Sequence, residues 1–340
     1  MAPTLSVLPF DSRHIGPAAE LLAARHARDR KREPLLSAAF ESPEAARPLV
    51  EALFQQEGVT GVVAMRDGAL AGFLLATAVL PAPTHFIALF FPPRSMAIPY
   101  HGHAVASQDG PSIYRELYAA LAGAWVRRGF FDHFVHVPDK DQDAREAWDS
   151  LGFGRDLTCA VRDVGEPVAG LQQPADLAVH QAGPEDISVI EALNEALAQH
   201  HARSPIFAPN LPEPHASSRE MSLQLLADPA NAHFVAYQGG AALGMQTFMP
   251  PRFLSPMLAP EACVYLLQGI VYPEARSGGV GRSLLAHSMA WAHAQGHRWC
   301  ALHFVAPNLS GARYWLGNAF RPVEHRLRRR IDERIAWAGG

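Results

Sequence analysis

Two long stretches of this chain repeat each other. Tyr114 to Phe153 reads YRELYAALAGAWVRRGFFDHFVHVPDKDQDAREAWDSLGF, and Gly281 to Phe320 reads GRSLLAHSMAWAHAQGHRWCALHFVAPNLSGARYWLGNAF. The spacing is constant at 167 residues: Gly129 matches Gly296, Trp148 matches Trp315 and Phe153 matches Phe320. Each copy reads as helix, glycine stop, strand, polar loop and short helix. In the first, Leu117, Leu121 and Trp125 recur every four residues as one apolar face, and Gly129 supplies a left-handed stop.

Earlier segments echo too. GVVAMRDGALAGFLLATAV and HFVAYQGGAALGMQTFM each read as a hairpin, turning at Asp67-Gly68 and Gly239-Gly240. HIGPAAELLAARHARDR and DISVIEALNEALAQHHARSP read as amphipathic first helices. Between the copies lies GEPVAGLQQP, Gly165 to Pro174, whose Gly and Pro content suits a linker. The expectation is a mixed α/β protein of two tandem units, residues 1–165 and 175–340, each a mostly antiparallel sheet flanked by helices.

A chain that is 49% hydrophobic and 18% charged is not expected to be disordered. A formal net charge of −4 supplies no basic field for nucleic acid or an anionic membrane, so neither is an expected partner. Three cysteines, Cys159, Cys263 and Cys300, form no CxxC pair, which fits a reducing compartment. The N-terminal residues have neither a basic segment nor a sustained apolar core, and the apolar run near Ala69 to Pro83 is too short to span a bilayer. The cytoplasm is the expected location.

The densest signal is IVYPEARSGGVGRSLLAHSMAWAHAQG, from Ile270 to Gly296: a strand, a Gly-rich loop and a helix. A helix N-terminus offers unpaired N–H groups and partial positive charge, and glycines remove the side chains that would keep a phosphate away. Gly278, Gly279 and Gly281, with Arg276 and Arg282, make a plausible pyrophosphate cradle; taken alone they also suit a plain turn before a helix. No Lys-Ser/Thr follows, so this is not a Walker loop, and its place late in the chain does not fit a dinucleotide fingerprint.

Arg276-x-x-Gly279-x-Gly281 after a strand closely resembles the Q/R-x-x-G-x-G/A motif of the Gcn5-related N-acetyltransferase (GNAT) family. LHFVAPNLSGARYWLGNAF downstream is similar to that family's next block of strand, Asn, short helix and Gly-Phe. The resemblance covers the second half and, through the repeat, extends to a degenerate first half. It implies a sheet splayed between its fourth and fifth strands, with acetyl-CoA as co-substrate in the gap. By that likeness the loop Arg276, Gly278, Gly279, Val280, Gly281 and Arg282 would hold the pyrophosphate. Ile270 and Val271 would pair with pantetheine, Asn308 would touch the thiol arm, and Trp315 would pack against it.

Acetyl transfer to an amine needs a neutral amine, a polarised carbonyl and a protonated leaving thiolate. Neutralising an amine of pKa about 10 at pH 7 costs roughly 4 kcal/mol. His303 precedes Asn308 by five residues, where some family members carry a glutamate base, and an imidazole titrates near neutral pH. A structural histidine is the other reading, supported by the match of His136 to His303 across the repeat. Tyr265 lies near another family base position, as a catalyst or a lining residue. The family's usual acid, a Tyr seven residues after the Asn, is Trp315 here; Tyr314, water or no dedicated acid is left for that role. Ala319 stands where the family usually has Gly.

In the first half the loop position reads DGPSIY, with Asp109 opposite Arg276 and Tyr114 opposite Gly281. A carboxylate and a ring there would repel and block phosphate, so this half is expected to be structural or a wall of the acceptor site. His200-His201, His101-x-His103 and His293-x3-His297 lack partners at ligand spacing and are expected on the surface, with no metal site. HRLRRR at 325–330 reads as a solvated final-strand face. The Pro-rich segment SPIFAPNLPEPHASS, 204–218, lies where the family builds acceptor pockets. Together these point to an N-acetyltransferase acting on a primary amine of a small molecule; the alternative is a non-catalytic acyl-CoA-binding sensor or interaction protein.

Overall fold

The repeat in sequence is a repeat in structure, joined in a way the sequence does not announce. The computed structural model describes residues 5–106, 109–213 and 218–338, so residues 214–217 of the Pro-rich segment lie outside the described residues. The first half runs β1 (Leu5–Pro9), α1 (Ile15–Arg32), α2 (Pro43–Phe54), β2 (Thr60–Arg66), β3 (Ala69–Val79), β4 (Ser95–Ile98), β5 (His103–Val105), α3 (Gly110–Arg127), β6 (Asp132–Pro138), α4 (Gln142–Ser150) and β7 (Gly154–Asp163). The second runs β8 (Leu177–Gln181), α5 (Ile187–Ala202), α6 (Ser218–Ala227), β9 (Ala232–Gln238), β10 (Ala241–Met249), β11 (Cys263–Val271), α7 (Val280–Ala294), β12 (Trp299–Val305), α8 (Leu309–Gly317) and β13 (Arg321–Arg330). A short α9 (Ile335–Ala338) follows.

Local chemistry accounts for the element ends. Both hairpins turn at residues with positive φ, 52° and 79° at Asp67-Gly68 and 55° and 81° at Gly239-Gly240, which matches the right-handed twist of the strands they join. Gly129 and Gly296, at φ 80° and 83°, end α3 and α7 in the left-handed region that costs glycine no side-chain clash. Leu117, Leu121 and Trp125 are buried together against the sheet.

All strands join one sheet in the order β1-β2-β3-β4-β6-β13-β7-β12-β11-β10-β9-β8, with β5 pairing β3 beside this path. Its centre is an exchange. The last strand of the first half, β7, pairs with β12 of the second, and the last strand of the second, β13, pairs with β6 of the first. β7 and β13 then pair with each other, antiparallel, with Thr158 opposite His325. The sheet therefore crosses the division that the linker suggests. It also corrects the expected solvated face at 325–330: β13 is a central strand, His325 and Arg326 are buried, and Asp139 and Asp156 pair with them. At its outlying end Arg328 and Arg329 stay half-exposed and Arg330 exposed, with Arg328 and Arg330 bound to Asp132. No helix among the described residues is long and apolar enough to cross a membrane.

Helices cover both faces. On one, α1 and α2 share a core with Cys159, Val161, Tyr265 and Ala301, while α5 packs with Val235, Met245 and Ile270. On the other, α3 packs on the first half and α7 on the second.

Candidate active site

β11 and β12 run parallel and part company. Their pairing extends from Cys263 opposite Trp299 to Leu266 opposite Leu302 and stops, although β11 continues to Val271 and β12 to Val305. On its other edge β11 stays paired with β10 through Ile270 and Val271, with an irregularity beside Thr247 and Phe248. The β12-side backbone of residues 267–271 thus faces a gap between two splayed strands, and an unpaired strand edge is a template for another extended backbone.

Beyond the gap, the loop turns through Ser277, at φ 65°, and Gly279, at φ 91°, into α7. None of the N–H groups of Ser277 to Arg282 meets an acceptor among the described residues; Ser283 is the first to bond, to the Gly279 carbonyl. Arg276, Gly278 and Arg282 are exposed, and Val280 is buried beneath them. The three glycines have different local reasons. A Cβ at Gly279 would stand 2.2 Å from the carbonyl oxygen of Gln172 in the linker, and one at Gly281 would stand 3.3 Å from the Tyr314 ring. At Gly278 the nearest atom would be 3.8 Å away, so this glycine keeps open space open. Arg276 Nε donates to the Val271 carbonyl at 3.1 Å, and Arg282 donates to the Gly170 carbonyl at 3.4 Å.

α8 closes the other side. Asn308 caps it, its Oδ1 accepting from the Gly311 N–H at 3.0 Å. Trp315 reaches back across the gap until its ring lies 3.3 Å from where a Cβ at Gly269 would be. Sequence reasoning passed over Gly269, whose signal is a glycine within a strand. Tyr314 donates to the Gly281 carbonyl at 2.6 Å, so its proton props the first turn of α7, and burial raises its pKa. His200 and His201, expected on the surface, are half-buried at the end of α5. Burial lowers the pKa of His200, Arg276 adds to that, and a hydrogen bond with Asn308 opposes it. His103, likewise expected outside, is fully buried.

On the α1 side of the gap, polar groups line up across five adjacent strands. His303 Nδ1 and the Tyr265 hydroxyl are 2.8 Å apart. One ligand-type atom each from His303, Cys159 and Glu324 lies within 4.8 Å of the others, because Cys159 is opposite both residues in the strand registers. His136 of the first half hydrogen-bonds the Glu324 carboxylate. His303 is half-buried. Burial pushes its pKa down to about 4, against the raising influence of Glu324. Burial works to raise the Glu324 carboxyl, yet His136, with His303 and His325, holds it below the ordinary value. Burial also raises the Cys159 thiol far above its usual range, which leaves it protonated and inert. Above this row stand Phe253, 5.8 Å from Tyr265, and Phe86 of the first half, 5.8 Å from Phe253.

Residues 195–317 match a family described as the acetyltransferase (GNAT) family. The whole chain is similar in fold to a GCN5-related N-acetyltransferase from Sphaerobacter thermophilus, at 13% identity and a TM-score of 0.58, with 96% of this chain and 95% of that one covered. It is also similar to a tandem GNAT protein from the clavulanic acid biosynthesis pathway, at 16% identity and a TM-score of 0.50, covering 96% and 98%. A third likeness, 13% identical with a TM-score of 0.56, is to a glucosamine N-acetyltransferase region in a fungal multi-domain β-N-acetylglucosaminidase; it covers 96% of this chain and 38% of that one. No curated protein matches the chain.

Proposed function

We propose that the protein is an acetyl-CoA-dependent N-acetyltransferase with its site in the second half, where residues 195–317 match the GNAT family within a fold similar to tandem GNAT proteins. The observation that carries this reading is the parting of β11 and β12 beside a loop whose six successive N–H groups are free. Acetyl-CoA is the substrate this gap suits. Its pyrophosphate would lie on the 277–282 amides between Arg276 and Arg282, and its pantetheine along the free edge at Ile270 and Val271. Asn308 and Trp315 would bound the thiol arm.

The acceptor is a primary amine on a small molecule, entering from the side where Phe86 and Phe253 stand. The amine nitrogen attacks the thioester carbonyl carbon, the C–N bond forms and the C–S bond breaks. The nitrogen gives up a proton, and the thiolate takes one to leave as free CoA. His303, neutral at pH 7 because its pKa is pushed down to about 4, is the base. Tyr265 fixes the imidazole through Nδ1. With the Tyr314 proton engaged on Gly281, the thiolate takes its proton from water. Three free, buried cysteines support a reducing, cytoplasmic setting.

The test is release of free CoA thiol from acetyl-CoA across a panel of primary amines. Acceptor-dependent release supports the enzyme. Acetyl-CoA binding without release for any amine would instead favour a sensor.

A further inference from the structure

A charged row that crosses from one half to the other lies beside the candidate base. Glu324 is almost fully buried, and the group bonded to it, His136, comes from β6 of the first half. His136 and His303 are counterparts in the repeat. The strand exchange that brings β7 and β13 between β6 and β12 sets both histidines near one carboxylate. A buried carboxylate is costly to keep and is not by itself a source of stability. Placed within 4.8 Å of a histidine that must acquire charge, it has a use.

We propose that Glu324 is the counter-charge for His303 during proton transfer, and that His136 is a positioning residue acting through Glu324, so that the first half contributes to the chemistry of the second. The inference rests on His303 being the base. When the amine proton moves to the imidazole, an imidazolium forms in a place that strongly disfavours charge. A fixed carboxylate nearby offsets that penalty, and its effect is large because water is excluded on most sides. His136 keeps the carboxylate oriented through its hydrogen bond. The groups facing His303 are Tyr265 on β11, Cys159 on β7, Glu324 and Arg326 on β13 and His136 on β6. Tyr265 and Cys159 are neutral at pH 7, since burial raises both. His136 and, less so, Arg326 disfavour the imidazolium, which leaves Glu324 as the group that favours it.

The test uses the full-length protein and follows kcat against pH, with acetyl-CoA binding by calorimetry as control. Glu324→Gln should lower kcat about tenfold or more and move the acidic limb of the kcat profile to lower pH, with acetyl-CoA affinity kept. His136→Ala should lower kcat, and His136→Gln, which retains a donor to the carboxylate, should restore most of it. The His303 imidazole titration, followed by NMR in the parent protein and in either His136 variant, gives a readout independent of turnover and of the Glu324 variant folding; it should shift when His136 is removed. A normal kcat and pH profile in Glu324→Gln, while His303→Ala is inactive, would overturn the inference and leave the base reading standing. Normal activity in His303→Ala would overturn both. A stoichiometric zinc ion in the purified protein that is lost in Cys159→Ser would also overturn it, because the trio would then be a metal site.

Discussion

In the first half, the position of Gly281 is held by Tyr114, the position of Ile270 by His103 and the position of Trp315 by Trp148. All three side chains are fully buried and packed on one another: Tyr114 meets the His103 Nδ1 at 3.0 Å, and its ring lies 5.8 Å from Trp148. His103 also bonds the His136 carbonyl through Nε2 at 2.7 Å, across the region that is open between β11 and β12. Beneath it the buried Arg25 donates to the carbonyls of His103 and Tyr100. The helix starts earlier as well. α3 begins at Gly110 where strict correspondence with α7 would give Ile113, so the residues that form the loop in the second half form a helical turn in the first. Asp109 precedes that turn and pairs with Arg66. One architecture thus holds an opening in one half and a filled core in the other. A few side chains decide which, because a sheet that parts must either admit a ligand or bury something of its own.

The comparison can be broken first at its tryptophans. Trp148→Ala should cost about 3–5 kcal/mol of stability, as expected for a fully buried indole. Trp315→Ala, at a half-buried site, should cost clearly less while weakening acetyl-CoA binding. Denaturant midpoints with calorimetry on both variants check this; equal stability losses would mean that the second half is as filled as the first. Next in size is His303→Ala, expected to lower kcat about 10²-fold with acetyl-CoA affinity kept. Its first-half counterpart, His136→Gln, should be much milder. Steady-state kinetics on the two variants rank them, and a greater loss at His136 would reverse the assignment.

Acid stability probes what the halves share. His101, His133, His201 and His303 are each pushed down to about 4 by burial, two in each half. Unfolded imidazoles take up protons below about 6.5 while the folded ones stay neutral, so the unfolded chain binds more protons in that window. Stability should fall as the pH drops from about 6.5 towards about 4. Asp29, raised to about 7 by burial, works the other way. Urea midpoints at pH 7.5 and 5 should show a net loss at pH 5; an unchanged midpoint would contradict it. The smallest effect is expected from Tyr314→Phe, which deletes one hydrogen bond worth about 1 kcal/mol. It should weaken acetyl-CoA binding with kcat nearly unchanged. A fall in kcat at constant affinity would return the hydroxyl to the role of acid.

Much of this was legible beforehand. The repeat, hairpin turns, glycine stops and loop before α7 follow from spacing and local backbone chemistry, which a sequence states directly. The strand exchange was not legible, since β7 and β13 occupy matching positions in the repeat and periodicity does not say which strand a partner will choose. Everything that depends on the exchange was hidden with it: the burial of His325 and Arg326, and the convergence of His136 and His303 on Glu324. The linker's contact with Gly279 and the approach of Trp315 to Gly269 are also tertiary facts. Gly279 illustrates the limit, because the motif marks it as a phosphate glycine while its φ and the Gln172 carbonyl independently demand glycine.

The central claim is one acetyl-CoA site per chain, in the second half, and calorimetric titration with acetyl-CoA tests it most directly. One equivalent is expected. Gly278→Asp should abolish the binding, since a carboxylate would enter the open space between Arg276 and Arg282 where a Cβ meets nothing closer than 3.8 Å. Circular dichroism should show that variant folded. Two equivalents per chain, or undiminished binding by folded Gly278→Asp, would contradict the account.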